Sequence, residues 1–479
     1  MRVTTASHRS RVRPSRPWRR FAAALCIAAW PVVAAFGQAS QPDAQSLEDS
    51  PSRLSDEAIP LQVDKVPERT PPIFELGNPF LGTGVISPGF RIPTGAVWNP
   101  ALQVFGSARS AVQIFDDGTT ERSSEWANRL DLFANLQLTH TERILIGWRP
   151  LDDGRDFTSY VWKPDRLDGW REDFDTEIEQ LFFEGDFGEL FPMLDLSDTK
   201  RLDLGFAVGR QLLRLQGGYL ANDVVDGFGI TRNSLRPLGF SNLRWTAFVA
   251  WEDLHRGNGV EDDSATFLAF LSEADIEETT IGLDLAWTIS SDRGEDAIYF
   301  GASAVRRWGA LNVTLRLNGS MPIDDDGAFV STGLLPVCEL SWTPHGGDDV
   351  VYVTGFWGID EFTSAVRAPD AGGALAPVGI LFEAAGLGRF GSALDGDAES
   401  VAGGVLGYQV FLGSPRRQLL MELGGRFSTD TDVDSQGAIG ARFQQALGER
   451  ILLQPNVFGT IREGGDEGYG ARFEVQVKF

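Results

Sequence analysis

The sequence predicts an all-β chain, a transmembrane antiparallel β-barrel of about 16 strands, with 18 as the neighbouring even number. Three observations predict it. Segments about ten residues long alternate apolar and polar residues repeatedly, which is the length a tilted strand needs to cross a hydrocarbon layer. Beyond the first forty residues, no apolar stretch approaches the roughly 18 residues of a membrane-spanning helix. The third observation is the final segment, Gly468–Phe479. There Tyr469, Ala471, Phe473, Val475, Val477 and Phe479 fall on one face of a strand, and Gly470, Arg472, Glu474, Gln476 and Lys478 on the other.

Taken in order, residues 1–39 read as a secretory signal peptide: seven arginines and no acid in the first twenty, an apolar Phe21–Gly37, and small residues before Ser40. Residues 40–99 read as an acidic, proline-rich periplasmic linker and lead-in, too poor in apolar residues to build a core. The segment from Pro79 to Asn99 leads into the barrel or tucks into its mouth. Residues 100–479 form the barrel. Three of its strands alternate cleanly. Leu130, Leu132, Ala134, Leu136 and Leu138 oppose Arg129, Asp131, Phe133, Asn135, Gln137 and Thr139; Ile281, Leu283, Leu285, Trp287 and Ile289 oppose Thr280, Gly282, Asp284, Ala286 and Thr288; Leu311, Val313, Leu315 and Leu317 oppose Asn312, Thr314, Arg316 and Asn318. Charged residues facing a soluble core would be costly, whereas facing a water-filled lumen they are not. Short connections such as Thr139–Glu142 and Leu447–Arg450 alternate with long acidic ones such as Leu151–Phe174.

Without the leader, 35 basic residues stand against 67 acidic ones, which argues against nucleic acid or anionic lipid headgroups as electrostatic partners. Cys338 is the one cysteine beyond the leader, so no intrachain disulfide supports the fold. Histidine is nearly absent; His140, His255 and His345 fall in turns and loops, and no serine–histidine pair can be assembled. The chain therefore reads as non-enzymatic. Asp430, Asp432 and Asp434 have Ser435 and Ala441 where a calcium loop needs glycine and glutamate, so they read as a hairpin turn, and no metal or cofactor is expected.

The wet faces supply the pore-lining candidates: Arg129, Asp131, Asn135, Asp284, Arg316, Glu422, Arg426, Arg442, Arg472 and Glu474. Gly373–Leu394 lacks alternation and is the candidate for an inward constriction, with Glu383 and Arg389 as its charged residues. A barrel of this size is too wide for side chains alone to fill, which points to diffusion of small hydrophilic solutes.

A chain that ends on a strand such as Gly468–Phe479, with an aromatic carboxy-terminus, resembles Gram-negative outer-membrane β-barrel porins. The resemblance implies an outer-membrane location after leader cleavage, with lipid and lipopolysaccharide around the barrel. It also implies recognition by the barrel assembly machinery through the strand ending in Phe479. Gly209-Arg210-Gln211, followed by Asp226-Gly227, Arg232 and Arg236, resembles the alginate-export family of barrels, with an aspartate–glycine turn in a substrate loop. This implies an alternative, a dedicated exporter or uptake channel for a polysaccharide or other specific solute, with Arg210, Asp226, Arg232 and Arg236 as loop candidates. By parity Arg210 falls on the lipid side with Leu202, Leu204, Phe206 and Val208, so a lumen role requires a position beyond the apolar band or a bulge.

Overall fold

The computed structural model describes residues 69–479 apart from 80–86, 120, 155, 198, 238, 292–293, 324–326, 328 and 431–433. The leader, the linker to residue 68 and the centre of the Asp430–Asp434 turn lie outside the described residues. Eighteen antiparallel strands form one closed ring, the larger of the two expected numbers. They are β1 Ala101–Asp116, β2 Ser123–Gln137, β3 Arg143–Trp148, β4 Ile178–Asp186, β5 Gly205–Leu215, β6 Ala221–Leu235, β7 Asn242–Trp251, β8 Ala265–Ile276 and β9 Thr279–Ser290. The ring continues with β10 Ala297–Trp308, β11 Leu311–Pro322, β12 Gly333–Trp342, β13 Val350–Phe362, β14 Ala398–Phe411, β15 Arg417–Ser428, β16 Gln436–Leu447, β17 Ile451–Arg462 and β18 Gly468–Lys478. Each strand pairs with its successor, and β18 pairs with β1 from Tyr469↔Asp116 to Lys478↔Ser107. The terminal strand thus closes the ring.

The alternation in the sequence becomes an inside and an outside. Outward residues such as Leu423 (59% exposed) and Ile439 (64%) form an apolar belt, while their strand neighbours Glu422, Arg426, Gln436 and Ala438 are buried inside. Connections at the end holding Ala101 and Lys478 are short, as at 277–278, 309–310 and 448–450. Those at the other end include 149–177, 252–264 and 363–397. The exception is 187–204, a long connection at the short-turn end, where Asp186 caps a one-turn helix by accepting from the Gly188 amide at 2.8 Å.

The strand missing from the sequence pattern is β6. Asp226-Gly227 is not a turn but mid-strand, opposite Arg210 and Gly209 of β5 and Trp251 and Ala250 of β7. Gly227 and Gly229 are there because the Phe248 ring lies over them; a Cβ on Gly227 would meet its Cζ at 2.6 Å. Packing relief imitates a turn signal. Ahead of the barrel, Phe74–Leu76 adds an antiparallel strand to β1 at Leu102–Val104, just past the point where Gly106 and Phe479 exchange backbone hydrogen bonds of 2.9 and 3.0 Å. The lead-in therefore extends the sheet at the short-turn rim, where Arg450 also donates to the Pro71 carbonyl at 3.0 Å.

A second close approach ties wall to interior. The Tyr352 ring covers Gly407 and leaves no space for a Cβ, and the Tyr352 hydroxyl donates to Glu422. Gly407→Ala is expected to destabilise the barrel by about 1–3 kcal/mol, whereas Gly459→Ala, at a site with open space around it, is expected to be near neutral. Denaturant unfolding of both variants in detergent checks this.

Candidate functional site

The β13–β14 connection, 363–397, folds into the lumen. Its backbone is met by side chains from one arc of the ring, running from β15 through the closure to β2. Arg109 and Gln113 of β1 donate to the carbonyls of Ala385 (3.2 Å) and Leu387 (3.0 Å), and Arg129 of β2 to Gly386 (2.7 Å). Glu422 of β15 accepts from the Leu381 amide (3.0 Å), Arg426 donates to the Asp395 carbonyl (2.9 Å), and Thr460 of β17 to Ala393 (2.9 Å). Only an inward segment can touch all of these walls. The loop's neck is closed by Leu375 N–H donating to Gly396 O at 2.8 Å, where Gly373 and Gly396 pass with no room for a side chain on either.

The physical logic has two parts. A buried backbone must have partners, and the polar inner faces of β1, β2 and β15–β17 supply them. The loop's own Leu375, Val378, Leu381, Phe382, Leu387 and Leu394, all at most 1% exposed, need apolar contact. Most of it comes from wall residues such as Phe356, Val401, Val405 and Ala438. A hydrophobic core thus lies inside the barrel beside the wet faces, because the inward segment carries apolar residues that pack on the wall.

The tip of the β5–β6 hairpin also turns inward. β5 pairs with β4 only as far as Arg210, and β6 with β7 only from Asp226, so residues 211–225 leave the wall. Gly209, at φ 116°, takes a backbone conformation that side-chained residues rarely adopt and marks the departure. At the tip Gln216 donates to Asp284 of β9 (2.7 Å) and accepts from Arg316 of β11 (3.5 Å), while Tyr219, Leu220 and Val225 join the internal core. Between tip and loop lies a cavity of about 740 Å³ lined by Arg214, Tyr219, Asn222, Arg316, Glu339, Asp370, Glu383 and Glu422 among others.

The charges inside the barrel are cross-paired, at this gap and beyond it. Arg316 meets Glu339 at 3.1 Å, Arg442 meets Glu383 at 2.9 Å, Arg109 meets Glu474 at 2.6 Å, and Arg472 pairs with Glu474. Arg129 lies 3.2 Å from Asp131 and 3.5 Å from Asp370, and Arg149 lies 3.3 Å from Asp131 and 3.5 Å from Glu179. Arg214 instead donates to the Gly217 carbonyl, at 3.1 and 2.9 Å.

No family model and no curated relative matches the chain. Solved structures do. The BenF-like porin from Pseudomonas fluorescens Pf-5 is 13% identical with a TM-score of 0.54, covering 79% of this chain and 98% of that one. The fold is that of the outer-membrane porins. Acinetobacter baumannii OccAB3 aligns at 10% identity and TM-score 0.54, over 79% of this chain and 99% of that one. Pseudomonas aeruginosa OpdK, in its structure with vanillate, aligns at 14% identity and TM-score 0.52, over 79% and 98%. At these identities the likeness carries the fold.

Within this porin fold, the ten wet-face candidates all lie on the inner side. Asn135 donates to Gln103 at 3.0 Å, Arg426 also pairs with Asp395 at 2.8 Å, and the others are placed above. Glu383 faces the large cavity. Arg389 does not accompany it; it lines a separate cavity of about 170 Å³ with Glu125, Asp156, Arg171 and Asp173. The substrate-loop set is split. Arg210 is held by Asp226 (2.9 Å) and Asp253 (2.6 Å) where the hairpin leaves the wall, on the side of Val208 and Leu212 as parity required. Arg232, six positions along β6 from Asp226, donates to the Arg201 carbonyl (2.9 Å) near the short-turn rim, and Arg236 is exposed in the β6–β7 turn. The sequence reading missed Arg109, Gln216, Glu339, Tyr352 and Asp370. Arg109 was within reach, since it shares parity with the buried Gln103 and Gln113.

One acid is set apart. Asp152, fully buried in the β3–β4 connection, lies 3.7 Å from Arg129 and 3.8 Å from Arg149, with Asp131 and Glu179 nearby; burial pushes its pKa up to about 6. Below that pH it becomes neutral and leaves the two guanidinium groups less compensated. Reversal potentials are expected to move toward anion preference as pH falls from 7.5 to 5, and Asp152→Asn is expected to lose most of that dependence while being anion-shifted throughout.

Proposed function

We propose that the chain is an outer-membrane channel for passive diffusion of small hydrophilic solutes, without catalytic activity. The cavity between hairpin tip and loop carries the reading. It is a polar gap bounded on one side by wall and on the other by two inward segments, in a barrel whose outer belt is apolar. Lipid satisfies the outside, and water and solute the gap. Paired guanidinium and carboxylate groups set a transverse field with weak net selectivity. The remaining roles belong to the same reading: removal of the leader, insertion among lipid and lipopolysaccharide, and recognition of the strand ending in Phe479 by the assembly machinery. A polysaccharide conduit finds no support in the split loop set or in a lumen this full.

Planar-bilayer recording of the refolded protein tests it, with sugars and a small aromatic carboxylate, the class of the vanillate in the OpdK structure, added to the bath. Steady, weakly selective steps are expected. Replacing 374–395 by two glycines is expected to raise the conductance markedly, and joint Glu383→Gln and Arg389→Gln to change it. A silent protein, or a loop deletion that leaves conductance unaltered, would sink the proposal.

A further inference from the structure

The two inward segments meet at Arg367. This residue is 2% exposed, and no ion pair to it occurs among the described residues. Its guanidinium is held by carbonyls and a hydroxyl. Nη2 donates to Gly218 O at 2.5 Å and Tyr219 O at 3.3 Å on the hairpin tip; Nε donates to Ser364 Oγ at 3.0 Å and Nη1 to Gly372 O at 3.5 Å on the loop. Ser364 Oγ in turn donates to Tyr219 O at 2.8 Å. Around this bracket Ala221 and Asn222 run parallel to Val366 and Arg367, with Ala365 N–H donating to Leu220 O (2.8 Å) and Ala368 N–H to Asn222 O (2.9 Å).

A buried cation whose carboxylate neighbours, Asp223 and Asp397, stay beyond ion-pair distance is an expensive way to join two segments that already share apolar contacts. Burial pulls its pKa down to about 10, still far above neutrality, so it stays charged. What a planar fork provides is donation to both partners from three separate nitrogens in one fixed plane, which a lysine's single nitrogen cannot reproduce and a packed aliphatic side chain lacks altogether.

We propose that Arg367 is the positioning residue that couples the hairpin tip to the lumen loop, making the two a single constriction whose width is set at their junction. The inference rests on the channel reading above. The large cavity takes lining from both segments, Arg214, Gly217 and Tyr219 from the tip and Asp370, Gly379 and Glu383 from the loop, so any parting of the two opens it. Gly217 O also holds Arg214, so the orientation of that guanidinium depends on the same junction.

The test is single-channel recording of the full-length refolded protein. Arg367→Gln is expected to give larger, flickering steps, with occupancy of the wide state raised roughly tenfold or more, the shift expected from losing charge-assisted hydrogen bonds. Arg367→Lys, which keeps the charge but not the fork, is expected to behave like Arg367→Gln. Heat-modified gel mobility is expected to match wild type, since the wall is untouched. Ala221→Cys with Val366→Cys, in a Cys338→Ser background carrying Arg367→Gln, is expected to restore quiet wild-type steps when oxidised and to lose them on reduction. Wild-type conductance that Arg367→Gln leaves unchanged, or a change that the cross-link does not reverse, would overturn the coupling alone; a silent wild-type protein would overturn the channel reading and the coupling with it.

Discussion

Hydrocarbon offers no hydrogen bonds, and that constraint shapes everything else in this molecule. Each strand of the ring must pair on both edges, so the chain closes β18 on β1 and fixes its own circumference. With closure come a fixed lumen, a single apolar exterior and connections that alternate between two ends. Where β18 runs out at Phe479, Phe74–Leu76 takes over the free stretch of β1, so even the rim obeys the rule.

The lumen follows from that closure. A ring this wide leaves space that wall side chains cannot fill, and the chain fills it with one long connection and one bent hairpin. Their backbones need partners just as the strands do, and many inner polar residues meet that need. Gln113, Glu125, Arg129, Glu422, Arg426 and Thr460 each bond to loop backbone. Charge inside the barrel is therefore partly scaffold, and the groups still facing water, Arg214, Glu339 and Glu383 among them, are what remains for a solute to meet.

Alternation reveals a strand's two faces only where the environments on either side differ. On β2, β9, β11 and β18 the inside carries Arg129, Asp284, Arg316 and Glu474, and those strands and their inner residues were legible. On β6 the inward positions Val225, Gly227 and Gly229 are small or apolar, and the strand read as a loop. Gln216 and Asp370 were hidden for another reason: their place is decided by long-range packing of inward segments, which no local period records. The non-alternating Gly373–Leu394 was itself a signal, because a stretch rich in leucine, glycine and alanine that cannot be a strand must bury its apolar residues elsewhere.

The internal core also makes several strands apolar on both faces. β8 presents Leu268 and Phe270 outward with Phe267 and Ala269 inward; β10 has Phe300 outward with Ala297 and Tyr299 inward; β12 buries Leu335 and Val337. Before insertion these segments have neither lipid nor lumen loop to cover them. During transit through an aqueous compartment they are the stretches most prone to pair with one another between chains. The filled lumen thus places the greatest demand for chaperone shielding on the middle of the chain, well ahead of the strand that finally closes the ring.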